Sequence, residues 1–319
     1  MASSAWQILP FTPKSWRSAE ALDHLRLNTD VPIPSKNELG EKQVLVRIRA
    51  ASINARDMMV IAHDPIYPVQ NIPGLSPCAD GAGEIIAAGK DSEWKVGDRV
   101  LFHPLPGWKE QEVVPDLVGM RGRGAGSVQG TLRQFGVFDD EELFPAPEHL
   151  SWEEAAAIPA CGATAVNSLF FGPMEMRPGM TVLTMGTGGV SCAAIQLAAA
   201  AGLTVVSTSS SDTKLSLARS LGATHTINYT TNLDWASEVL KITAGKGADH
   251  VLDVAGDLDV SLKCVRQGGL VSLIGFLDEK SGEAEGKGSV VPGILFGGKT
   301  GAYPLPFFFF SVSALSFPV

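Results

Sequence analysis

The chain has 319 residues, 45% apolar and 18% charged, the balance of an ordinary globular protein with length for two domains. Its formal net charge of −9 excludes the basic footprint that a nucleic-acid or anionic-membrane partner requires, and favours small-molecule chemistry. The four cysteines, Cys78, Cys161, Cys192 and Cys264, lack Cys-x-x-Cys spacing and sit among apolar neighbours, which predicts reduced, buried thiols. Met1 to Gln7 has no basic patch leading into an apolar stretch, so no secretory signal is expected and the cytoplasm is the default location.

In chain order, Val44, Val46, Ile48 and Ala50 alternate with Leu45, Arg47 and Arg49, the period of a half-buried strand over 43 to 51. Asp80 to Gly89 and Lys95 to Phe102 are short β-type runs bounded by turn residues, so an antiparallel, barrel-like first half is expected. Met120 to Gly130 is glycine-rich and carries Arg121 and Arg123. No strand feeds a helix there, and a solvated loop is expected rather than a phosphate site. Ser151-Trp-Glu-Glu154 has the spacing of a capping box, predicting a helix into residues 155 to 158 and the change of domain.

Strand and helix then alternate. Strands are expected at 181 to 185, 204 to 208, 225 to 228, 249 to 254 and 269 to 274, with helices near 189 to 201, 212 to 221 and 233 to 243. Connections of this length require parallel pairing, hence a doubly wound sheet. The first strand runs into Met185-Gly-Thr-Gly-Gly-Val-Ser191, a glycine-rich turn opening a helix. Gly186 permits the tight turn, and Gly188 lets the backbone approach a pyrophosphate at the positive end of the helix. Thr187, Gly189 and Val190 complete the binding loop, and Ser191 is small enough for close helix–strand packing.

The second strand ends Val206-Ser-Thr-Ser-Ser-Ser211, with no carboxylate at its tip to accept from a ribose 2′-hydroxyl. Ser209 and Ser210 offer hydroxyl donors and Lys214 a positive charge, which favours NADPH, with Asp212 expected to cap the following helix. Strand ends at Asp253-Val-Ala-Gly256 and Leu273-Ile-Gly275 place Val254 and Gly275 on the cofactor side of the sheet. Helix–sheet packing is the other reading of these two residues and of Thr164. From Pro304 to Val319, including the run Phe307 to Phe310, no helix or strand pattern is visible, and 16 residues are too few for a membrane-spanning helix.

Several ordered motifs, Ala51-Ser-Ile-Asn-Ala-Arg-Asp57, Asp80-Gly-Ala-Gly83, Val96-Gly-Asp-Arg-Val100, Gly130-Thr-Leu-Arg-Gln-Phe135, Ala155-Ala-Ala-Ile-Pro159 with Thr164-Ala165, and Leu221-Gly-Ala223, resemble the medium-chain dehydrogenase/reductases. The likeness is to their zinc-free quinone-reductase and enoyl-reductase branch and covers about residues 5 to 300. It implies an α/β fold with a GroES-like β-barrel domain at 1 to 155, a Rossmann domain with a doubly wound parallel sheet at 156 to 300, and a divergent tail at 301 to 319. It further implies a site in the cleft between the domains and a small-molecule substrate, with no nucleic-acid or membrane partner.

By the resemblance, the catalytic zinc ligands of the related alcohol dehydrogenases fall on Asn54, Ala79 and Ala160, and the second zinc site lacks its cysteines, so no metal is expected. His63 and His103 remain as lone candidate ligands, the commoner reading being a satisfied histidine. The resemblance places Asn54 near the nicotinamide, Tyr67 at the position of a catalytic tyrosine and Tyr229 against the adenosine phosphate, while the sheet topology places Thr164 by the nicotinamide ring or its ribose. A packing tyrosine is the other reading of Tyr67. For Arg56 and Asp57 a structural ion pair is expected. The expected activity is hydride transfer from NADPH to an enone, enoyl or quinone substrate, with an alcohol dehydrogenase-type reaction or a non-catalytic, truncated NADPH-binding chain as alternatives. The family's sixth strand is missing from the pattern after 299 to 301, so an open sheet edge, poorer solubility and loss of the usual homodimer edge are expected.

Overall fold

The computed structural model describes residues 2–10, 13–65, 67, 69–106, 122–275 and 310–313. The chain divides into two compact units, Met1–Glu110 with Pro115–Ala160, and Gln111–Val114 with Cys161–Val319.

In the first unit β1 (Ala2–Ile8) pairs antiparallel with β2 (Leu25–Pro32). The larger sheet holds β3 (Gln43–Ser52), β4 (Asp80–Ala88), β5 (Arg99–Phe102), β6 (Phe135–Asp139) and β7 (Leu143–Pro145), in the order β6-β3-β4-β5-β7 with every pair antiparallel. The alternation in β3 is the cause of its placement. Val44 and Val46 are buried with Ile85, Val100, Phe102, Phe138 and Leu143, while Arg47 and Arg49 are exposed. Leu45 is buried too, so that end of the strand is covered on both faces. Gly83 lets β4 close on β3, because a β-carbon there would stand 2.5 Å from the Arg47 carbonyl oxygen.

Part of the loop before β6 is not solvated. Residues 122 to 126 are all buried, and Arg123 is 2% exposed. Its Nη2 donates to Glu142 Oε2 at 3.2 Å and its Nε to the His103 carbonyl at 3.0 Å, with the guanidinium 4.8 Å from the Phe138 ring centre. A charge-assisted pair plus an aromatic face offsets the loss of hydration that composition alone would forbid. Arg121 lies outside the described residues.

Ser151 Oγ accepts from the Glu154 amide at 3.1 Å and Glu154 Oε2 from the Ser151 amide at 2.8 Å, so the capping box opens α2 (Trp152–Ala156). A π-helical turn over 158–162 leads into α3 (Ala163–Phe170) of the second unit. There, β8 (Thr181–Thr184), α4 (Gly189–Ala200), β9 (Thr204–Ser209), α5 (Asp212–Ser220), β10 (His225–Asn228), α6 (Trp235–Ile242), β11 (Ala248–Asp253), α7 (Leu258–Cys264) and β12 (Val265–Leu273) follow in turn. The sheet order is β10-β9-β8-β11-β12, all parallel. Successive strand residues face opposite ways. Val182, Val205 and Leu252 pack with Ala165, Leu169, Ile195 and Ala198 of α3 and α4, whereas Leu183, Val206 and Val251 pack with Val239 and Cys264 of α6 and α7. This two-sided burial is why the strands read as continuous apolar runs.

Two expectations fail here. Strand β12 begins at Val265, four residues earlier than the pattern suggested. Residues Phe310–Ser313 form β13, antiparallel to β12 with Val271 opposite Val312, so β12 is paired on its outer side over Leu270–Leu273 and not left open there. Phe310-Ser-Val-Ser313 alternates apolar and polar residues, but over only four positions directly after a phenylalanine run, too short a period to stand out.

The burial of Arg123 gives a direct test. Arg123→Leu is expected to lower the unfolding free energy in urea by about 2 kcal/mol or more, because Glu142 and the His103 carbonyl lose their donor. A change below about 0.5 kcal/mol, typical of exposed positions, would show that the pair does not anchor the loop.

Candidate active and cofactor sites

In the first unit the candidate groups gather at the start of α1 (Ala55–Ile61). Asn54 is its N-cap, and the Asn54 amide nitrogen donates to Asp57 Oδ2 at 2.8 Å. Arg56 Nη1 donates to Asp57 Oδ1 at 3.1 Å and to the Arg123 carbonyl at 2.7 Å, so Asp57 is a buried carboxylate with an ion-pair partner. Arg56 Nε donates to the Tyr67 phenol oxygen at 3.2 Å, and the guanidinium carbon lies 5.4 Å from the Tyr67 ring centre. Tyr67 is half-buried and packs against Ile8, Val60, Ile61, Leu75 and Ala125. The two residues assigned to chemistry, Asn54 and Tyr67, thus belong to one chain of hydrogen bonds running through Asp57 and Arg56.

That chain extends to a residue that sequence reasoning did not single out. Asn54 Nδ2 donates to Asp80 Oδ2 at 3.0 Å, and the same oxygen accepts from the Ala160 amide at 3.2 Å. Asp80 is 0% exposed and its Oδ1 has no hydrogen-bond partner among the described residues. Burial pushes its carboxyl up to about 7, opposed by the Asn54 hydrogen bond and aided by the nearby Asp57 charge. The signal in the sequence was a lone carboxylate in the run Pro77-Cys-Ala-Asp-Gly-Ala82, at the start of an expected β-type run.

The positions that carry zinc in the resembled alcohol dehydrogenases hold an amide, Asn54, whose nitrogen is turned to Asp80, and two methyl groups, Ala79 and Ala160. This donor set does not fit a metal. Among the described residues no three His, Cys, Asp or Glu side chains gather in a way that could hold one. His103 Nδ1 accepts from the Leu105 amide at 3.0 Å, and burial lowers its basicity. Cys78 and Cys264 are buried free thiols, whereas Cys161 and Cys192 are only partly buried, short of the expectation for all four.

In the second unit the glycine turn follows β8. Gly186 has φ +87°, a conformation that a side chain would strain. Gly188 is the N-cap of the 12-residue α4, and nothing lies within 4 Å of where its β-carbon would be. The first turn of α4 contains no acidic residue, and its cap offers no side chain, so its amides suit an added anion. Thr187 and Val190 are partly buried, Gly189 is exposed and packs toward Cys161, and Ser191 is fully buried. These features fit a dinucleotide pyrophosphate.

Around the turn, Thr187 Oγ1 and Ser209 Oγ are 3.0 Å apart and the Gly186 amide donates to Thr208 Oγ1 at 3.2 Å. The Tyr229 amide donates to the Ser209 carbonyl at 3.1 Å, which brings Tyr229, 40% exposed, beside the tip of β9. Ser210 and Lys214 are exposed nearby in sequence. Asp212 is not the cap of α5. Ser211 Oγ takes that role, accepting from the Lys214 amide at 3.5 Å, while Asp212 Oδ1 accepts from Asn228 Nδ2 at 2.8 Å. Val254 Cγ2 lies 3.7 Å from a β-carbon position on Gly186, and a side chain at Gly275 would collide with the Val254 carbonyl, so these three positions converge. Thr164 is 8% exposed on α3, which packs on α4.

Two family models match: an alcohol dehydrogenase GroES-like domain over residues 40–148 and a zinc-binding dehydrogenase over residues 189–300. A zinc-type alcohol dehydrogenase-like protein of Schizosaccharomyces pombe is 40% identical over 250 residues, covering 77% of this chain and 70% of the relative. The chain belongs to the medium-chain dehydrogenase/reductase superfamily. It is an oxidoreductase of that superfamily, as its relatives are. A Pseudomonas aeruginosa quinone oxidoreductase is 33% identical over 243 residues, covering 75% of this chain and 66% of the relative. A solved Sinorhizobium meliloti protein described as an alcohol dehydrogenase superposes with a TM-score of 0.75 at 32% identity, covering 93% of this chain and 82% of that one. Members of the superfamily bind nicotinamide cofactors. No described helix is long and apolar enough to cross a membrane.

The buried Asp80 predicts a pH signature. Its carboxyl stands near 7 in the fold, well above the ordinary aspartate value of 3.8, so the fold favours the protonated form. The associated stabilisation is full below about pH 4 and lost as pH rises through about 7. Asp80→Asn, neutral at every pH, is expected to gain stability relative to the native chain between pH 4 and 7, by up to roughly 4 kcal/mol. A stability difference that stays constant over that range in urea titrations would contradict this.

Proposed function

We propose that this chain is an NADPH-dependent, zinc-free reductase that transfers hydride to an activated double bond of an enone, enoyl thioester or quinone. The observation that carries the reading is the donor set at Asn54, Ala79 and Ala160, which supplies no metal ligand field and hence no Lewis acid for a simple alcohol or ketone. A conjugated substrate needs less help, because its β-carbon accepts hydride while charge flows to an oxygen that hydrogen-bond donors stabilise. NADPH, when bound, supplies the hydride.

Tyr67 donates the proton that completes reduction, and Asn54, fixed by Asp57 and Asp80, lines the nicotinamide side. Gly186, Thr187, Gly188, Gly189 and Val190 hold the pyrophosphate. Ser209, Ser210, Lys214 and Tyr229 take the 2′-phosphate, a choice supported by the engagement of Asp212 with Asn228, which leaves no carboxylate dedicated to a ribose. Thr164, Val254 and Gly275 flank the nicotinamide and adenosine ends. Residues 1–155 form the GroES-like catalytic domain and 156–300 the Rossmann domain in this reading, acting on a small molecule in the cytoplasm. The second reading, an alcohol dehydrogenase-type reaction, is favoured by the description of the Sinorhizobium meliloti structure.

With purified protein, absorbance at 340 nm is expected to fall when NADPH is mixed with a quinone, an enone or an enoyl thioester, at a rate that a chelator leaves unchanged. Oxidation of a primary alcohol with NADP+, abolished by the chelator, would establish the second reading instead. Lys214→Ala is expected to raise the KM for NADPH about tenfold, worth about 1.4 kcal/mol, with the KM for NADH little altered. Equal effects on both cofactors would remove Lys214 from the 2′-phosphate site.

A further inference from the structure

We infer that Arg56 is the positioning residue of the proton donor: it fixes the polarity of the Tyr67 hydroxyl by occupying the phenol oxygen with an N–H, so that the phenol proton points away from Arg56. This rests on the reading of Tyr67 as the proton donor. A guanidinium has donors and no acceptor. With Arg56 Nε 3.2 Å from the Tyr67 oxygen, that oxygen accepts, and its single proton is directed to another acceptor.

The geometry leaves Arg56 little freedom to do otherwise. Its Nη1 is committed to Asp57 Oδ1 at 3.1 Å and to the Arg123 carbonyl at 2.7 Å. Asp57 is 0% exposed and is itself held by the Asn54 amide at 2.8 Å. Arg123, whose carbonyl completes the clamp, is 2% exposed and paired with Glu142. The planar fork therefore presents Nε to the phenol in one orientation, a constraint that a lysine ammonium cannot reproduce.

The step balances. A bound NADPH would supply the hydride that forms the C–H bond at the substrate β-carbon and would be left as NADP+, with the π pair of the double bond moving toward the conjugated oxygen as an enolate. The Tyr67 O–H bond then breaks, its proton goes to the enolate, and the electron pair stays on the phenol oxygen, which faces the Arg56 guanidinium until water returns a proton. A cation already in hydrogen-bond contact with that oxygen requires no reorganisation as the charge develops.

A double-mutant cycle tests the inference with a quantity that a merely structural role would not move. Tyr67→Phe is expected to lower kcat about a hundredfold, the scale of general acid catalysis. Arg56→Met is expected to lower kcat at least tenfold, with the KM for NADPH unchanged and a larger solvent deuterium isotope effect. Arg56→Met in the Tyr67→Phe background is expected to cost no more than a further twofold. Because Arg56→Met leaves Asp57 buried without its partner, the same cycle is run with Arg56→Lys, which keeps the charge but not the fork, and with Arg56→Met combined with Asp57→Asn. Rates that multiply in the double variant, or an unchanged isotope effect, would overturn the role of Arg56 while leaving Tyr67 as donor. An undiminished kcat in Tyr67→Phe would overturn the donor reading and this inference with it.

Discussion

The constraint on which the first unit depends is the ion pair between Arg56 and Asp57 at the first turn of α1. Asp57 is fully buried, and a carboxylate in that position is tolerated only with a cation and backbone donors on it. Meeting that demand fixes three other groups. The Asn54 amide closes on Asp57 from the N-terminal side, the Arg123 carbonyl accepts from Arg56, and the remaining Nε of Arg56 reaches the Tyr67 phenol. The groups proposed for chemistry are held by the same contacts that make the helix start tolerable in the interior.

A second carboxylate, Asp80, sets the other end of the network. Its Oδ2 gathers donors from Asn54 and from the Ala160 amide, and so ties β4 to α1 and to the turn after α2. Desolvation leaves it poised between protonated and ionised forms near neutrality. In the proposed reading, hydrogen bonds and fixed charges do the work that a metal does in the zinc-dependent branch, and the alanines at 79 and 160 mark where that exchange was made.

What the sequence revealed depended on the range of the forces involved. The glycine turn at 186 to 191, the strand that leads into it and the Ser151–Glu154 box are determined by neighbours within a few residues, and the structure has them where the pattern put them. Arg123 was misread because its burial rests on Glu142, Phe102 and Phe138, contacts that composition cannot announce. Asp80 was overlooked for the same reason, since its partners lie 26 and 80 residues away. The cap of α5 is Ser211 and not Asp212 because Asn228, on β10, draws the Asp212 carboxylate to itself. Strand β13 was missed because its alternation, Phe310-Ser-Val-Ser313, spans only four residues and directly follows a run of phenylalanines.

The reading of the chain as a metal-free reductase of activated double bonds turns on which carbon receives the hydride. NADPH carrying deuterium at C4 of the nicotinamide, turned over with a conjugated enone, allows the product to be read by NMR. Deuterium on the β-carbon of a saturated ketone is the predicted result. Deuterium on the carbinol carbon of an allylic alcohol would contradict it and assign the chain to carbonyl reduction.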